Sequence, residues 1–264
     1  MVAMKMDLVM WTKNSQKTLV PCLKSIDRVI PKEAVNKKII VDGHSTDKTE
    51  EIAKKFNWEF HKAEKTGISY QANQALGLVE TDLFASFEHD IVLHPDWFTK
   101  MISHFDDPEV AVAQGVRVCV NPTIKKIEEY FLVRPLPYSS LDNTVYRTKI
   151  LKSTGGFSSK RYPMSPNKPV QERIRKNGYK WIVDRDIVSD HLKDSIRGYA
   201  KKIKFDLSTC RYVRDNTKFS KSLYILAFSP VRGLQIAVKK HCPEAFVVYP
   251  YLRLQSVISY HKCS

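Results

Sequence analysis

Three stretches of this sequence put carboxylates directly after apolar runs, where they could meet a cation or a polar ligand. In Ile39-Ile40-Val41-Asp42 an aspartate follows a β-branched run and could accept hydrogen bonds from a base or ribose. The same position equally suits a turn or a cap before the next helix, a role that explains Asp47 a few residues on. In Phe87-Glu88-His89-Asp90 two carboxylates flank one residue, and alternation along an extended segment would send both to one side. Oxygen ligands so placed suit a hard divalent cation such as Mg2+ or Mn2+, which often keeps substrate phosphate in its shell. His89 would point the other way and reads as structural. In Val188-Ser189-Asp190-His191 the imidazole of His191 could complete such a site, or stand as an ordinary polar loop residue after a strand.

The elements around these residues alternate. Leu8-Val9-Met10 reads as a first strand, and Leu19, Cys22, Leu23, Ile26 and Ile30 follow at helical spacing. Ile39 to Val41 reads as a buried parallel strand. A helix opening at Asp47, with Glu50 three residues later in a capping-box-like arrangement, carries Ile52, Ala53 and Phe56. A third helix presents Ala72, Ala75, Leu76 and Val79 and leads into a strand from Leu83 to Phe87. This rhythm predicts βαβ units and a mainly parallel sheet, with ligands at the carboxyl ends of its strands. The second half is less regular: an alternating valine strand from Val110 to Val120, a helix over 169–177 that stops at Gly178, and a strand from Lys180 to Val188.

The 264 residues are 43% hydrophobic and 27% charged, which excludes disordered and collagen-like classes. The net charge of +15 favours anionic partners, such as phosphorylated substrates, nucleic acid or an acidic membrane, without choosing among them. Cys22, Cys119, Cys210, Cys242 and Cys263 are scattered and form no CxxC pair, so neither a disulfide framework nor a zinc site is expected. No run approaches the roughly 18 apolar residues of a membrane-spanning helix. The expected location is cytoplasmic, or peripheral on the cytosolic face of a membrane.

Taken in order, the segments resemble glycosyltransferase family 2, from about Met6 to His191. The match runs through VMWTKNSQKTLVPCLKSI, VDGHSTDKTEEIAKKF, GISYQANQALGLVETDLFASFEHDIVLHPDWF, KSTGGF and VQERIRKNGYKWIVDRDIVSDHL. The resemblance implies the GT-A fold, a Rossmann-like α/β sheet flanked by helices. It would occupy residues 1–195, with a nucleotide-binding half at about 1–92, an acceptor half at about 93–195, and a helical basic extension over 196–264. It also implies an inverting transfer from a UDP- or GDP-sugar to a glycan or lipid-linked acceptor, assisted by Mn2+ or Mg2+. Thr12, Asn14, Asp42, Ser45, Asn73 and Glu88 would lie on the donor side, and Glu88, Asp90 and His191 at the metal.

Three departures from the family pattern stand out. Glu88 replaces the first aspartate of the metal motif, and the usual arginine of the third helix is missing near Ala72-Asn73. Where the family has a Glu-Asp pair ahead of its helix arginine, counting back from Arg173 reaches Pro166 and Asn167, neither of which is a base. Glu172 is the nearest ionisable substitute for the base that inverting transfer needs.

Beyond about residue 192, Leu223, Leu226, Val231, Leu234 and Val238 mix with Lys221, Arg232, Lys239 and Lys240. Such a pattern fits a helix in a membrane interface, a helix covering the sheet, or a dimer contact. Two rival functions stay open, a catalytically inactive family member that binds sugar or a partner, and a basic nucleic-acid-binding protein. No reader motif supports the second, so nucleic acid is not an expected partner.

Overall fold

The computed structural model describes residues 5–132, 140–158, 166–209 and 218–261. Its first strand, β1 (Met6–Thr12), is buried at every position, as a strand covered on both faces must be. Leu8 and Met10 pack into one core layer with Leu23 and Ile26. Val9 and Trp11 pack into the other with Ala72 and Ala75. The two-residue period of a strand thus divides a continuous apolar run between the two faces of the sheet.

Helix α1 (Leu19–Val29) buries the stripe read from its sequence. Strand β2 (Val35–Asp42) is fully buried over its last four residues. Helix α2 (Thr49–Lys55) starts two residues after Asp47, whose Oδ1 accepts hydrogen bonds from Thr49 N at 3.0 Å and from its hydroxyl. Glu50 turns outward to Lys54 at 2.6 Å rather than back to the helix start. Strand β3 (Glu59–Lys62), helix α3 (Ile68–Leu78) and strand β4 (Leu83–Glu88) complete the first half.

The order β3-β2-β1-β4 is parallel throughout, as the βαβ rhythm predicts. Buried Asp7, at the start of β1, is structural: its carboxylate accepts four hydrogen bonds, from Asn36, Lys37, Glu80 and Thr81.

After β4 the chain forms β5 (Ile91–Val92), α4 (Trp97–Ser103), β6 (Val110–Cys119), α5 (Pro122–Leu132), β7 (Thr144–Arg147), α6 (Thr148–Ser153), α7 (Asn167–Lys176) and β8 (Lys180–His191). The sheet has eight strands in the order β3-β2-β1-β4-β7-β6-β8-β5. The pairs β4–β7, β6–β7 and β5–β8 are antiparallel. Strand β8 runs three residues past the expected Val188, because pairing with β5 sets Val92 against Asp190 and Ile91 against His191. His191 is therefore the last residue of a strand rather than a loop residue.

The chain divides into two units, Met1–Arg117 with Tyr138–His191, and Val118–Pro137 with Leu192–Ser264. The second unit holds α5 with α8 (Ile196–Thr209), α9 (Phe219–Ala227), α10 (Ser229–Lys239) and α11 (Ala245–His261). Ile124, Ile127 and Tyr130 form its core with Ile236, Tyr249 and Leu252. The apolar run from Leu223 to Val238 is two helices, not one. Pro230 in the first turn of α10 has no N–H to return to the preceding turn, and the Ser229 hydroxyl bonds the Leu226 carbonyl at 2.6 Å instead. Among the described residues, no helix is long and apolar enough to cross a membrane. Cys22, Cys119 and Cys242 are free thiols, while Cys210 and Cys263 lie outside the described residues.

Candidate active site

Strand register brings the first acidic residues together. In the parallel β1–β2 pair Thr12 stands opposite Asp42, and in the β1–β4 pair Trp11 stands opposite Glu88. The carboxyl ends of three parallel strands thus end in line, where an α/β sheet opens into a ligand crevice.

Past the end of β4, His89 and Asp90 form a turn that leads into β5. Helix α1 holds this turn from one side. Thr18 Oγ1 lies 2.8 Å from His89 Nδ1, the Cys22 thiol donates to the Glu88 carbonyl at 3.3 Å, and Ser25 Oγ accepts from Leu93 N. The thiol of Cys22 is pushed up to about 12 by its burial, so it acts here as a neutral packing group. On the other side the β5–β8 pairing sets His191 against Ile91, next to Asp90. Asp90 and His191 are both buried, with His191 Nε2 3.2 Å from Asp90 Oδ2. Ligand atoms of Glu88, Asp90 and His191 all lie within 4.8 Å of one another.

Arg117, on β6, was not anticipated from the sequence. Its Nη1 donates to Glu88 Oε2 at 2.8 Å and to Asp142 Oδ2. The Asp142 side chain is fully buried, and its Oδ1 has no hydrogen-bond partner among the described residues. Arg117 and Asp142 are 25 residues apart and neither sits in a motif, so only the neighbouring β6 and β7 strands could reveal the pair.

At the ends of β1 and β2, Asp42 is engaged by its own loop. Oδ1 accepts from Thr12 Oγ1 at 2.8 Å and Ser45 Oγ at 2.6 Å, and Oδ2 accepts from Ser45 N at 2.6 Å. Asn14 joins this loop, donating its N–H to Ser45 Oγ and accepting from Thr46 N. Thr12, Asn14, Asp42 and Ser45 therefore form one network at the ends of β1 and β2. Gln71 of α3 ties those ends together, donating to the carbonyls of Thr12 and Val41 at 3.1 Å each.

Asn73 has different partners. Its Oδ1 accepts from Phe157 N at 2.8 Å and its Nδ2 donates to Ser158 Oγ at 3.1 Å. Arg173 grips the same Gly155-Gly156-Phe157 loop, donating to the carbonyls of Thr154, Gly156 and Ser158. Gly156, at φ 61°, takes a side chain only with strain, and an added Cβ would lie 2.6 Å from Asn73 Oδ1. Glu172, next to Arg173 on α7, is exposed.

The Glycosyl transferase family 2 model matches residues 7–164, more than half of the chain. The chain belongs to glycosyltransferase family 2. No curated sequence matches it at a significant level. Among solved structures, mannosyltransferase PcManGT from Pyrobaculum calidifontis, in complex with GDP-Man and Mn2+, is similar at 16% identity and TM-score 0.64, over 97% of this chain and 73% of that one. S. aureus TarS is similar at 15% identity and TM-score 0.57, over 98% of this chain but only 55% of that one, so this chain spans about half of TarS. Glucosyl-3-phosphoglycerate synthase from Mycobacterium tuberculosis, in complex with Mn2+, UDP and glucosyl-3-phosphoglycerate, is similar at 15% identity and TM-score 0.53, over 78% of this chain and 80% of that one. At these identities the likeness is one of fold, the GT-A fold.

The family's divalent cation can be tested against the residues present. Two carboxylates and one imidazole converge within reach of a single ion, two of the three buried. This donor set suits Mn2+ or Mg2+, which accept carboxylate oxygens and, in the case of Mn2+, imidazole nitrogen as well. The residues fit such an ion.

Proposed function

We propose that this family member is an inverting glycosyltransferase that moves a sugar from a UDP- or GDP-sugar to a hydroxyl of a glycan or lipid-linked acceptor. The observation that carries this reading is the convergence of Glu88, Asp90 and His191 on the same sheet edge as the Thr12–Asp42 pair. Glu88, Asp90 and His191 would hold Mn2+ or Mg2+, and such an ion neutralises the charge of the departing nucleoside diphosphate.

The chain's own residues have separable tasks. Thr12, Asn14 and Ser45 hold the Asp42 carboxylate in place. Its Oδ2, with one bond formed here, keeps a lone pair for a donor hydrogen of the nucleoside. Asn73 and Arg173 fix the Gly155-Gly156-Phe157 loop, which gives the acceptor side a rigid wall. Glu172, exposed beside Arg173, is assigned the base that takes the acceptor's hydroxyl proton as that oxygen attacks the anomeric carbon. The second unit contributes peripheral contact with a membrane, which fits a lipid-linked acceptor.

One observation favours a second reading, a sugar-binding family member without turnover: Glu88 already has a counter-ion in Arg117. The two readings part on nucleoside diphosphate release from sugar nucleotides with Mn2+ present. An enzyme releases UDP or GDP, loses that release with Asp90→Ala, and keeps donor binding but not transfer with Glu172→Gln. Donor binding without release in the wild type would establish the second reading instead.

A further inference from the structure

Helices α10 and α11 of the second unit are apolar on two sides. In α10, Ser229, Gly233 and Ile236 face the core, while Val231, Leu234 and Val238 are exposed. In α11, Ala245, Tyr249 and Leu252 are buried, while Val247, Tyr251, Leu254 and Ile258 are exposed at spacings of four, three and four residues. A helix apolar all round is ordinarily buried all round, and exposed apolar side chains gathered at helical spacing mark a surface that something covers.

The two helices meet. Gly233 lets α10 approach α11 so closely that an added Cβ would lie 3.0 Å from the Ala245 carbonyl and 3.1 Å from that of Phe246. Leu234 and Val247, each next to one of those contact points, are 54% and 68% exposed. Helix α9 buries no side chain, and its Tyr224 packs at a tilt against Phe228, ring centroids 4.5 Å apart, with both residues exposed.

Charge selects the occupant. From Lys218 to Ser264 the sequence holds seven lysines and arginines against Glu244 alone, a net charge of +6. A second copy would set two such surfaces against each other, and nucleic acid would leave the apolar side chains in water. A bilayer containing anionic lipid satisfies both: headgroups meet the cations, and the acyl boundary takes up the apolar stripes.

We propose that the exposed faces of α10 and α11, with Tyr224 of α9 and Phe228 just after it, form a binding surface for anionic lipid bilayers, lying in the interface without crossing it. This deepens the membrane contact within the proposed function and rests on it only there, since lipid binding and donor binding use different residues.

The test is flotation of the full chain with vesicles of phosphatidylcholine alone and of phosphatidylcholine mixed roughly two to one with phosphatidylglycerol. The wild type is expected to float with the anionic vesicles, less at high salt, and to stay behind with phosphatidylcholine. Leu234→Glu combined with Val247→Glu is expected to lower the bound fraction about tenfold or more at unchanged melting temperature. Leu234→Met with Val247→Leu should float like the wild type. Wild-type protein left in solution with anionic vesicles, or the glutamate variant floating undiminished, would overturn the proposal. So would a concentration-dependent dimer dissolved by the same glutamates, which would assign the face to a second copy. Donor-induced stabilisation of the same samples shows whether the sugar-nucleotide reading stands or falls separately.

Discussion

His191 Nε2 lies 3.2 Å from Asp90 Oδ2 across a sequence separation of 101 residues. The β5–β8 ladder makes the meeting, since it puts His191 opposite Ile91. Asp90→Ala is expected to erase any stabilisation by sugar nucleotide that depends on Mn2+, and His191→Ala to weaken it. Melting curves with Mn2+ and with chelator check both, and an unchanged metal-dependent shift in Asp90→Ala would remove this cluster as the cation site.

Arg117 neutralises buried Asp142 and half-buried Glu88 together. Arg117→Met leaves Asp142 charged and uncompensated, and should cost about 3–5 kcal/mol of stability. Adding Asp142→Ala should recover part of that loss, because it removes the stranded charge. Denaturant midpoints of the two single variants and the double variant measure the coupling, and strict additivity would show that the pair is not coupled.

The loop 154–158 depends on Arg173 and Asn73. Arg173→Met removes three charge-assisted hydrogen bonds, each worth about 1.5–3 kcal/mol when its partner is left unsatisfied. Partial solvent access should keep the total at the low end. Gly156→Ala should destabilise as well, through φ 61° and the close approach to Asn73. Limited proteolysis should find this loop cut faster in both variants than in the wild type.

Asp47 gives a pH-dependent prediction. Burial acts to raise its carboxyl, but hydrogen bonds from Thr49 and the Gln16 amide outweigh that effect and hold it below the ordinary value. A carboxyl depressed in the folded state stabilises fully above its unfolded value of about 4 and loses that contribution as pH falls through the lower folded value. Asp47→Ala should therefore cost on the order of 1 kcal/mol near neutral pH and progressively less in acid. Urea melts at neutral and acidic pH would show it, and an equal cost at both would contradict it.

Much of the first half was legible because strand burial and helical stripes write themselves into hydrophobic period. β1, α1, β2, α3 and β4 lie where the apolar runs put them; Glu88 closes β4, one residue past the expected Phe87, and Asp90 lies in the turn that follows. What was not legible depends on strand neighbours far apart in sequence. The extension of β8 to His191 comes from pairing with two-residue β5, too short to announce itself. Arg117 and Asp142 meet because β6 lies beside β7, an order that no local pattern carries. Segment likeness places Asn73 on the donor side, and its bonds to Phe157 and Ser158 come from a loop more than 80 residues away that the likeness does not carry. Asp42 reads both as a ligand for a nucleoside and as a turn residue; its bonds to Ser45 form the turn, and strand register sets it opposite Thr12.

The most direct test of the proposed function is thermal stability with Mn2+ and a panel of UDP-, GDP- and dTDP-sugars. A ligand that binds only the folded chain raises the melting temperature by mass action, by about 2.7 kcal/mol of stability at a hundredfold excess over its dissociation constant. A rise for the UDP- or the GDP-sugars, present with Mn2+ and absent with chelator, is the expected result. No rise with any sugar nucleotide, with or without metal, would contradict the proposed function and leave a GT-A fold without donor chemistry.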